Sequence, residues 1–311
     1  MFSSASTRAR AGRIATAVAL ALVVAWSGGC GGKKKSTLTI AQRLERARGQ
    51  KTPELQSREL VRVARSQFKA GDRKGAAKTL SEARGLIPKD GDTMLVAPRI
   101  LEVAALFAEM DEKATARGVL DEVVTLAGGV EDPLGKTLML AEAGGIYGSQ
   151  TAGAGDSAKA LATLKEAAAA ADTVDDRFKA KALAAVALGY SDAGLLDDAK
   201  AMVETLETSA RAVEDPRARA EAFAAAANVR AKGGDSDAAK ALLKEAAEVA
   251  DTIDRSENKA YALLAVAKAN AAAGDDAAAA KLLKQAEAAA QRVADQEAQR
   301  VVKEKIIAAK K

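Results

Sequence analysis

Apolar residues recur at intervals of three and four positions along most of the chain after residue 52. Such intervals place apolar side chains on one face of an α-helix. Alanine, the residue with the best helix propensity, supplies much of the apolar content, and only five prolines interrupt the chain. The pattern therefore predicts close-packed helices and no sheet.

A short turn of small and acidic residues recurs through this helical region. Its anchors are Gly71, Asp111, Gly155, Gly194, Gly234 and Gly274, which are spaced by 40, 44, 39, 40 and 40 residues. Alanine stands five residues after every anchor, and a large aliphatic residue stands nine after it. A glycine between two amphipathic stretches ends the first helix and lets the chain reverse. Each unit is therefore predicted to be a helical hairpin that stacks on its neighbours in a repeat array.

The residues before the anchors also repeat, except in the third unit. A small residue stands seven positions before each anchor, and a large apolar residue stands eleven before it in five of the six units. In the third unit these positions hold Gly148 and Gly144, in a stretch that also contains Gly145, Gly153 and Gly155. We therefore expect this unit to be the weakest, either a loosened joint or a poorly formed repeat.

The unit boundaries carry helix-start signals. An aspartate stands where each next helix should begin, at Asp90, Asp132, Asp175, Asp215, Asp254 and Asp295. Aspartate is a good N-cap residue, and Pro133 and Pro216 occupy the first helical position after it. Residues 296–309 are predicted to form a C-terminal capping helix, because Ile307 replaces the small residue of the other units. Residues 40–48 are predicted to form a short N-terminal helix.

The first thirty residues have the features of an export signal. Three arginines between residues 8 and 13 precede an apolar run from Ile14 to Trp26, whose thirteen residues are fewer than the ~20 that span a bilayer. Ser27, Gly28 and Gly29 then lead to Cys30, the only cysteine of the chain. One alternative is an ordinary signal peptide that is cut nearby, with an incidental cysteine.

The segment from Ser27 to Cys30 resembles the lipobox of bacterial lipoproteins. That resemblance implies a signal peptide over residues 1–29, a lipid on Cys30, and a tether with the short helix over residues 30–52. Ser27 departs from the pattern, which usually has leucine or another aliphatic residue there. Because Gly31 is not the aspartate associated with inner-membrane retention in some bacteria, the resemblance favours the outer membrane, facing the periplasm.

The charge of the chain lies mostly in this N-terminal region. Removing the three signal arginines from 47 basic residues leaves 44 against 42 acidic residues, a net charge of +2. A nearly neutral body gives no electrostatic support for nucleic-acid binding.

The sequence offers little catalytic chemistry. It contains no histidine, the commonest general base and metal ligand, and its single cysteine is assigned to the lipid. Residues 128–137 end in Gly-Lys-Thr like a phosphate-binding loop, but the first glycine is misplaced, and Glu131 and Asp132 would repel phosphate. Catalysis by carboxylates alone is left open by the sequence. We predict a protein that is not an enzyme and that uses no cofactor, metal or nucleotide.

The order of large, aliphatic and small residues before each turn, with alanine and a large residue after it, resembles the tetratricopeptide repeat (TPR) over about residues 53–293. The resemblance implies an all-α, right-handed solenoid of about six antiparallel helical hairpins with a capping helix over residues 53–311. The ~40-residue period exceeds the ~34 residues of the family, and the motif's tryptophan is absent. The motif's tyrosine position holds Gln67, Phe107, Thr151, Tyr190, Arg230 and Asn270.

The same resemblance implies a binding surface, since the first helix of each TPR hairpin lines a concave groove that holds partner peptides or helices. The lining positions carried over are Arg58, Arg65, Lys69, Leu101, Leu188, Asn228, Lys232, Tyr261, Leu264 and Lys268. Asn228, Tyr261 and Lys268 stand out in a groove otherwise lined by alanine, although ordinary surface residues would look the same.

These observations together predict a lipid-anchored scaffold or adaptor that binds other proteins of the cell envelope. The alternative is a binding protein for cell-wall glycan or another envelope ligand. The scarcity of aromatic residues, at 3%, disfavours that alternative because sugars stack on aromatic rings.

Overall fold

The computed structural model describes residues 38–88, 91–149 and 153–310, which form fourteen α-helices. The helices are α1 (Ile40–Arg48), α2 (Pro53–Lys69), α3 (Arg73–Gly85), α4 (Thr93–Glu109), α5 (Lys113–Gly128), α6 (Pro133–Gly148), α7 (Ser157–Asp172), α8 (Asp176–Asp192), α9 (Leu196–Ala212), α10 (Pro216–Lys232), α11 (Ser236–Asp251), α12 (Ser256–Ala272), α13 (Asp276–Gln291) and α14 (Gln296–Ala309). From α2 to α13 they pack in consecutive pairs, and each pair contacts the next. The predicted all-α array of six hairpins is confirmed. The predicted signal peptide and Cys30 lie outside the described residues.

Every predicted turn anchor has the left-handed backbone that ends a helix. The φ angles are 87° at Gly71, 65° at Asp111, 66° at Gly155, 76° at Gly194, 84° at Gly234 and 83° at Gly274. In five units the residue after the anchor donates its N–H to the carbonyl five residues earlier, as Asp72 does to Gln67 (3.0 Å). This bond closes a Schellman motif, which satisfies carbonyls that the helix end leaves free.

The extra residues of the third unit lie in its turn. Helix α6 ends at Gly148, well before the Gly155 anchor. The N–H of Asp156 donates to the carbonyl of Tyr147 (2.7 Å), which corresponds to the bond between Asp72 and Gln67 in the first unit. The residue equivalent to Gln67 is therefore Tyr147 and not Thr151, which lies outside the described residues.

This alignment corrects the sequence prediction for the third unit. Leu140 and Gly144 therefore correspond to Leu60 and Ala64. The spacing within the two pairs is the same, and all four residues are buried. Helix α6 buries ten of its 16 residues. The expectation of a weak or poorly formed third repeat was wrong.

The glycines of this region allow neighbouring helices to approach closely. A Cβ on Gly144 would lie 2.5 Å from Cγ of Leu164 in α7. A Cβ on Gly189 of α8 would lie 2.6 Å from the carbonyl oxygen of Ala141 in α6. Carbon atoms normally pack at ~3.5–4.0 Å. The glycines therefore serve tight packing between α6, α7 and α8.

Aspartates cap most of the hairpins as predicted. The side chains of Asp132, Asp175, Asp215 and Asp295 accept backbone N–H groups in the first turns of α6, α8, α10 and α14. The prediction for Asp254 was wrong, because α12 follows Arg255, whose side chain makes no capping bond. Asp90 lies outside the described residues, and Asp92 caps α4.

Helix α14 closes the described array with a more polar face. Val302 and Ile306 are buried where α14 contacts α12 and α13. Lys303 stands at the position that the fully buried Leu263 holds in α12, and Ile307 is 53% exposed. The predicted capping helix is thus present, and a lysine replaces the large apolar residue that the other first helices direct into their hairpins.

Candidate partner-binding groove

A cleft of about 850 Å³ crosses the first helices of the second, third and fourth hairpins. We call it the α4–α8 groove and define it by its apolar side chains Met94, Pro98, Leu101, Leu138, Ile146 and Leu188 and its polar residues Glu109, Glu142, Ser191, Asp192 and Lys232. Lys232 belongs to α10, and the others belong to α4, α6 and α8. This volume lies within the ~300–1,000 Å³ typical of ligand sites.

The groove follows from the repeat register. On α4, Pro98, Leu101, Ala105 and Glu109 are three or four residues apart and so share one helical face. The residues forty positions later also line the groove, namely Leu138, Ala141 and Gly145 of α6 and Ser149 directly after its end. The opposite side of each first helix packs in the core, for example through Ile100 and Leu140. The same face of successive first helices thus forms one continuous wall.

The charged residues of the groove are mostly acidic. Glu109, Glu142 and Asp192 provide three carboxylates, and Lys232 provides the only cation among the lining residues. Nζ of Lys232 lies 2.5 Å from Oδ1 of Asp192, and Glu109 lies 4.0 Å from the guanidinium of Arg65. Two of the three carboxylates therefore already face a cation.

Glu142 differs from the other two carboxylates. It forms no ion pair with any of the described residues. Its side chain reaches solvent, yet the apolar surroundings remove part of its hydration and raise the pKa of its carboxyl. A positively charged group in the groove would stabilise the ionised form.

Two buried polar side-chain atoms, one on α8 and one on α10, have no hydrogen-bond partner among the described residues. Ser191 is 6% exposed, and its hydroxyl makes no hydrogen bond. The side-chain oxygen of Asn228, one helix further along the array, is also buried without a partner. Most buried polar groups in proteins are hydrogen-bonded. Ser191, which lines the groove, thus has a buried hydroxyl whose hydrogen-bonding capacity is unused within the described part of the chain.

The structure brings three of the predicted lining residues together in the groove, namely Leu101, Leu188 and Lys232. Arg65 lies beside them, since it faces Glu102 (3.7 Å) as well as Glu109 on α4. Their contribution to binding stays a prediction.

The remaining predicted residues lie outside this groove. Two cations lie over the Tyr261 ring, with the Arg217 guanidinium 4.4 Å and Lys305 Nζ 5.0 Å from its centroid. Leu264 is only 4% exposed and packs in the core. Arg58, Lys69 and Lys268 are exposed on α2 and α12. Tyr261 is therefore held by its neighbours and presents less free surface than its sequence position suggested.

Sequence reasoning did not single out Glu142 or Ser191. A signal for Glu142 was present, because it is the only acidic residue of α6. No comparable signal exists for Ser191, whose lack of a partner depends on which helices surround it.

A second cleft, of about 920 Å³, lies at the beginnings of α8 and α10. Its arginines are already paired within their own helices, Arg177 with Asp175 (3.1 Å) and Arg217 with Glu221 (2.8 Å). Nζ of Lys179 contacts the carbonyl oxygens of Ala171 and Asp172, each at 2.9 Å. The two arginines and Lys179 of this cleft are therefore already engaged by groups of this chain.

The described residues contain no cluster of three or more histidine, cysteine, aspartate or glutamate side chains placed to hold a metal ion. Within the same ranges, no helix has the length and apolar character needed to cross a membrane.

No protein-family model matches this chain, and no curated protein matches its sequence. Among solved structures, it is similar to a Rap protein complexed with competence and sporulation factor, with 14% identity over 86% of this chain and 78% of that one, and a TM-score of 0.38. It is also similar to the TPR-like repeats of a putative kinesin light chain from Podospora anserina, with 17% identity over 76% and 95% of the two chains, and a TM-score of 0.32. The assembly chaperone of RpL4 (Acl4) shows 18% identity over 82% and 95%, and a TM-score of 0.35.

The protein has a TPR-like helical repeat fold. Its stacked hairpins, its six left-handed turns, and the alanine and large residue after each turn carry that assignment.

Proposed function

We propose that this protein is a non-enzymatic scaffold or adaptor that binds other proteins through the α4–α8 groove. The observation that carries the proposal is an apolar groove across the first helices of three successive hairpins, where the Glu142 carboxylate and the Ser191 hydroxyl have no partner among the described residues. Helical repeat arrays provide extended surfaces of this kind for protein partners. None of the groove-lining residues is aromatic, which favours a peptide over a glycan.

We further propose that the scaffold is exported and tethered to the outer membrane by a lipid on Cys30. The lipobox-like segment supports this proposal. Labelling cells with an alkyne-tagged fatty acid tests it, because the protein should take up the label and fractionate with membranes. Cys30→Ala should lose both properties. Equal labelling of the Cys30→Ala variant would contradict lipidation at this cysteine.

The binding role is tested by photocrosslinking in intact cells. A photoreactive amino acid at Leu188, which is half-buried in the groove, should capture one recurring envelope protein. The matched control places the same amino acid at Lys244 on α11, whose side chain is 81% exposed. Identical adducts at both positions, or none at Leu188, would contradict binding in the groove.

A further inference from the structure

We propose that the α4–α8 groove recognises an extended segment of about six residues that combines aliphatic side chains with one lysine or arginine, which pairs with Glu142. This inference rests on the proposed scaffold function and gives its partner a defined chemistry.

The length follows from the spacing of the helices. Packed helices lie ~8–10 Å apart, so the path from α4 across α6 to α8 covers roughly 16–20 Å. An extended chain advances ~3.3 Å per residue, so about six residues cross the groove. The apolar lining, with Pro98, Leu138 and Leu188 on successive helices, provides apolar contacts along this path.

The charge preference follows from the one carboxylate without a cation. Asp192 is paired with Lys232, and Glu109 faces Arg65. Glu142, on the middle helix of the groove, has no ion-pair partner among the described residues. A lysine or arginine of the partner would form an ion pair with Glu142. An acidic residue would instead repel the ionised carboxylate, which partial desolvation already disfavours. The groove thus selects a basic segment and disfavours an acidic one.

The backbone of the partner can also form a hydrogen bond in the groove. The hydroxyl of Ser191 is buried without a partner, on the same helix as Leu188. Because an extended segment keeps free N–H and C=O groups along its length, one of them can satisfy this hydroxyl. Ser191→Ala should therefore weaken binding without changing the preference for a basic residue.

Selection from a phage-displayed library of random peptides of about twelve residues, with the full chain as bait, tests the proposal. The enriched peptides should carry lysine or arginine among aliphatic residues, and replacing that basic residue by glutamate should weaken binding roughly tenfold or more. Glu142→Gln should largely abolish the preference while the apolar contacts persist. Glu248→Gln, on the outer helix α11 with a side chain that is 67% exposed, is the matched control and should leave selection unchanged.

Circular dichroism verifies that each variant retains its helices, so that a loss of binding reports on the groove. Enriched peptides that bind at Leu188 without a basic residue, or whose preference survives in Glu142→Gln, would overturn this inference while the scaffold function stands. If no peptide is enriched and photocrosslinking at Leu188 captures no protein, both proposals fail.

Discussion

Replacing Gly189 by alanine should destabilise the protein, although the same change usually stabilises a helix. The new Cβ would lie 2.6 Å from the carbonyl oxygen of Ala141 and 2.6 Å from Cδ2 of Leu164. The carbonyl belongs to the backbone of α6, so α6 and α8 must separate by several tenths of an ångström. Overpacking of this kind costs ~1–3 kcal/mol, and alanine recovers ~0.5–1 kcal/mol of helix propensity. We expect a net loss of about 1–2 kcal/mol.

Urea unfolding followed by circular dichroism measures this loss. The helical signal suits the assay because the described residues are mostly helical. Gly118→Ala is the matched control: Gly118 is exposed on α5, and a Cβ there would meet no atom within 4 Å. It should stabilise the protein by about 0.5–1 kcal/mol.

Comparing the unfolding midpoints of Gly189→Ala and Gly118→Ala tests whether α6 and α8 pack closely at Gly189. Opposite shifts of the unfolding midpoint would support close packing between α6 and α8. Equal stabilisation by both substitutions would refute it, because it would show that the space beside Gly189 is open.

Three further predictions concern the turns, a buried hydrogen bond and the groove. Gly194→Ala should lower the free energy of unfolding by about 1 kcal/mol, because a positive φ is unfavourable for alanine. Asp111→Gly should maintain or raise the free energy of unfolding. Urea unfolding midpoints of the two variants test both predictions. Tyr147→Phe should cost about 1 kcal/mol in the same assay, since the buried phenol donates to Asp121 (2.5 Å). Partial burial opposes ionisation of Asp121, but hydrogen bonds from Lys159 and Tyr147 favour it, and its pKa is lowered overall. The cost of Tyr147→Phe should therefore shrink as acid protonates Asp121. Because the pKa of Glu142 is raised in the folded protein, ionisation of its carboxyl opposes folding. Glu142→Gln should therefore raise the midpoint of thermal unfolding at about pH 7. At about pH 3, where Glu142 is protonated, the midpoint should stay unchanged.

Most of the fold was predictable because the turns repeat in the sequence. A helix end that needs a left-handed residue selects glycine, and the spacing of those glycines revealed the period. The third unit was misread because counting back from Gly155 assumes a turn of constant length. Hydrogen bonding shows where the extra residues lie, since Asp156 bonds to Tyr147 across a longer turn.

The groove was predictable only in part. The TPR resemblance implied Leu101, Leu188 and Lys232 as lining residues, because the first helix of each TPR hairpin lines the groove of that family. Whether a carboxylate there is paired depends on helices distant in sequence, so Glu142 could not be distinguished from Asp192. The surroundings of Tyr261 were not predictable for a similar reason, since Lys305 of α14 lies over its ring.

The most direct test of the proposed binding surface is the affinity of Leu188→Asp for the protein captured by crosslinking at Leu188, measured by calorimetry with the purified full chain. A carboxylate in the apolar part of the groove should weaken binding roughly tenfold or more, whereas Lys244→Asp on the outer helix α11 should bind like the unsubstituted protein. If a folded Leu188→Asp variant binds its partner with unchanged affinity, the α4–α8 groove is not the binding surface.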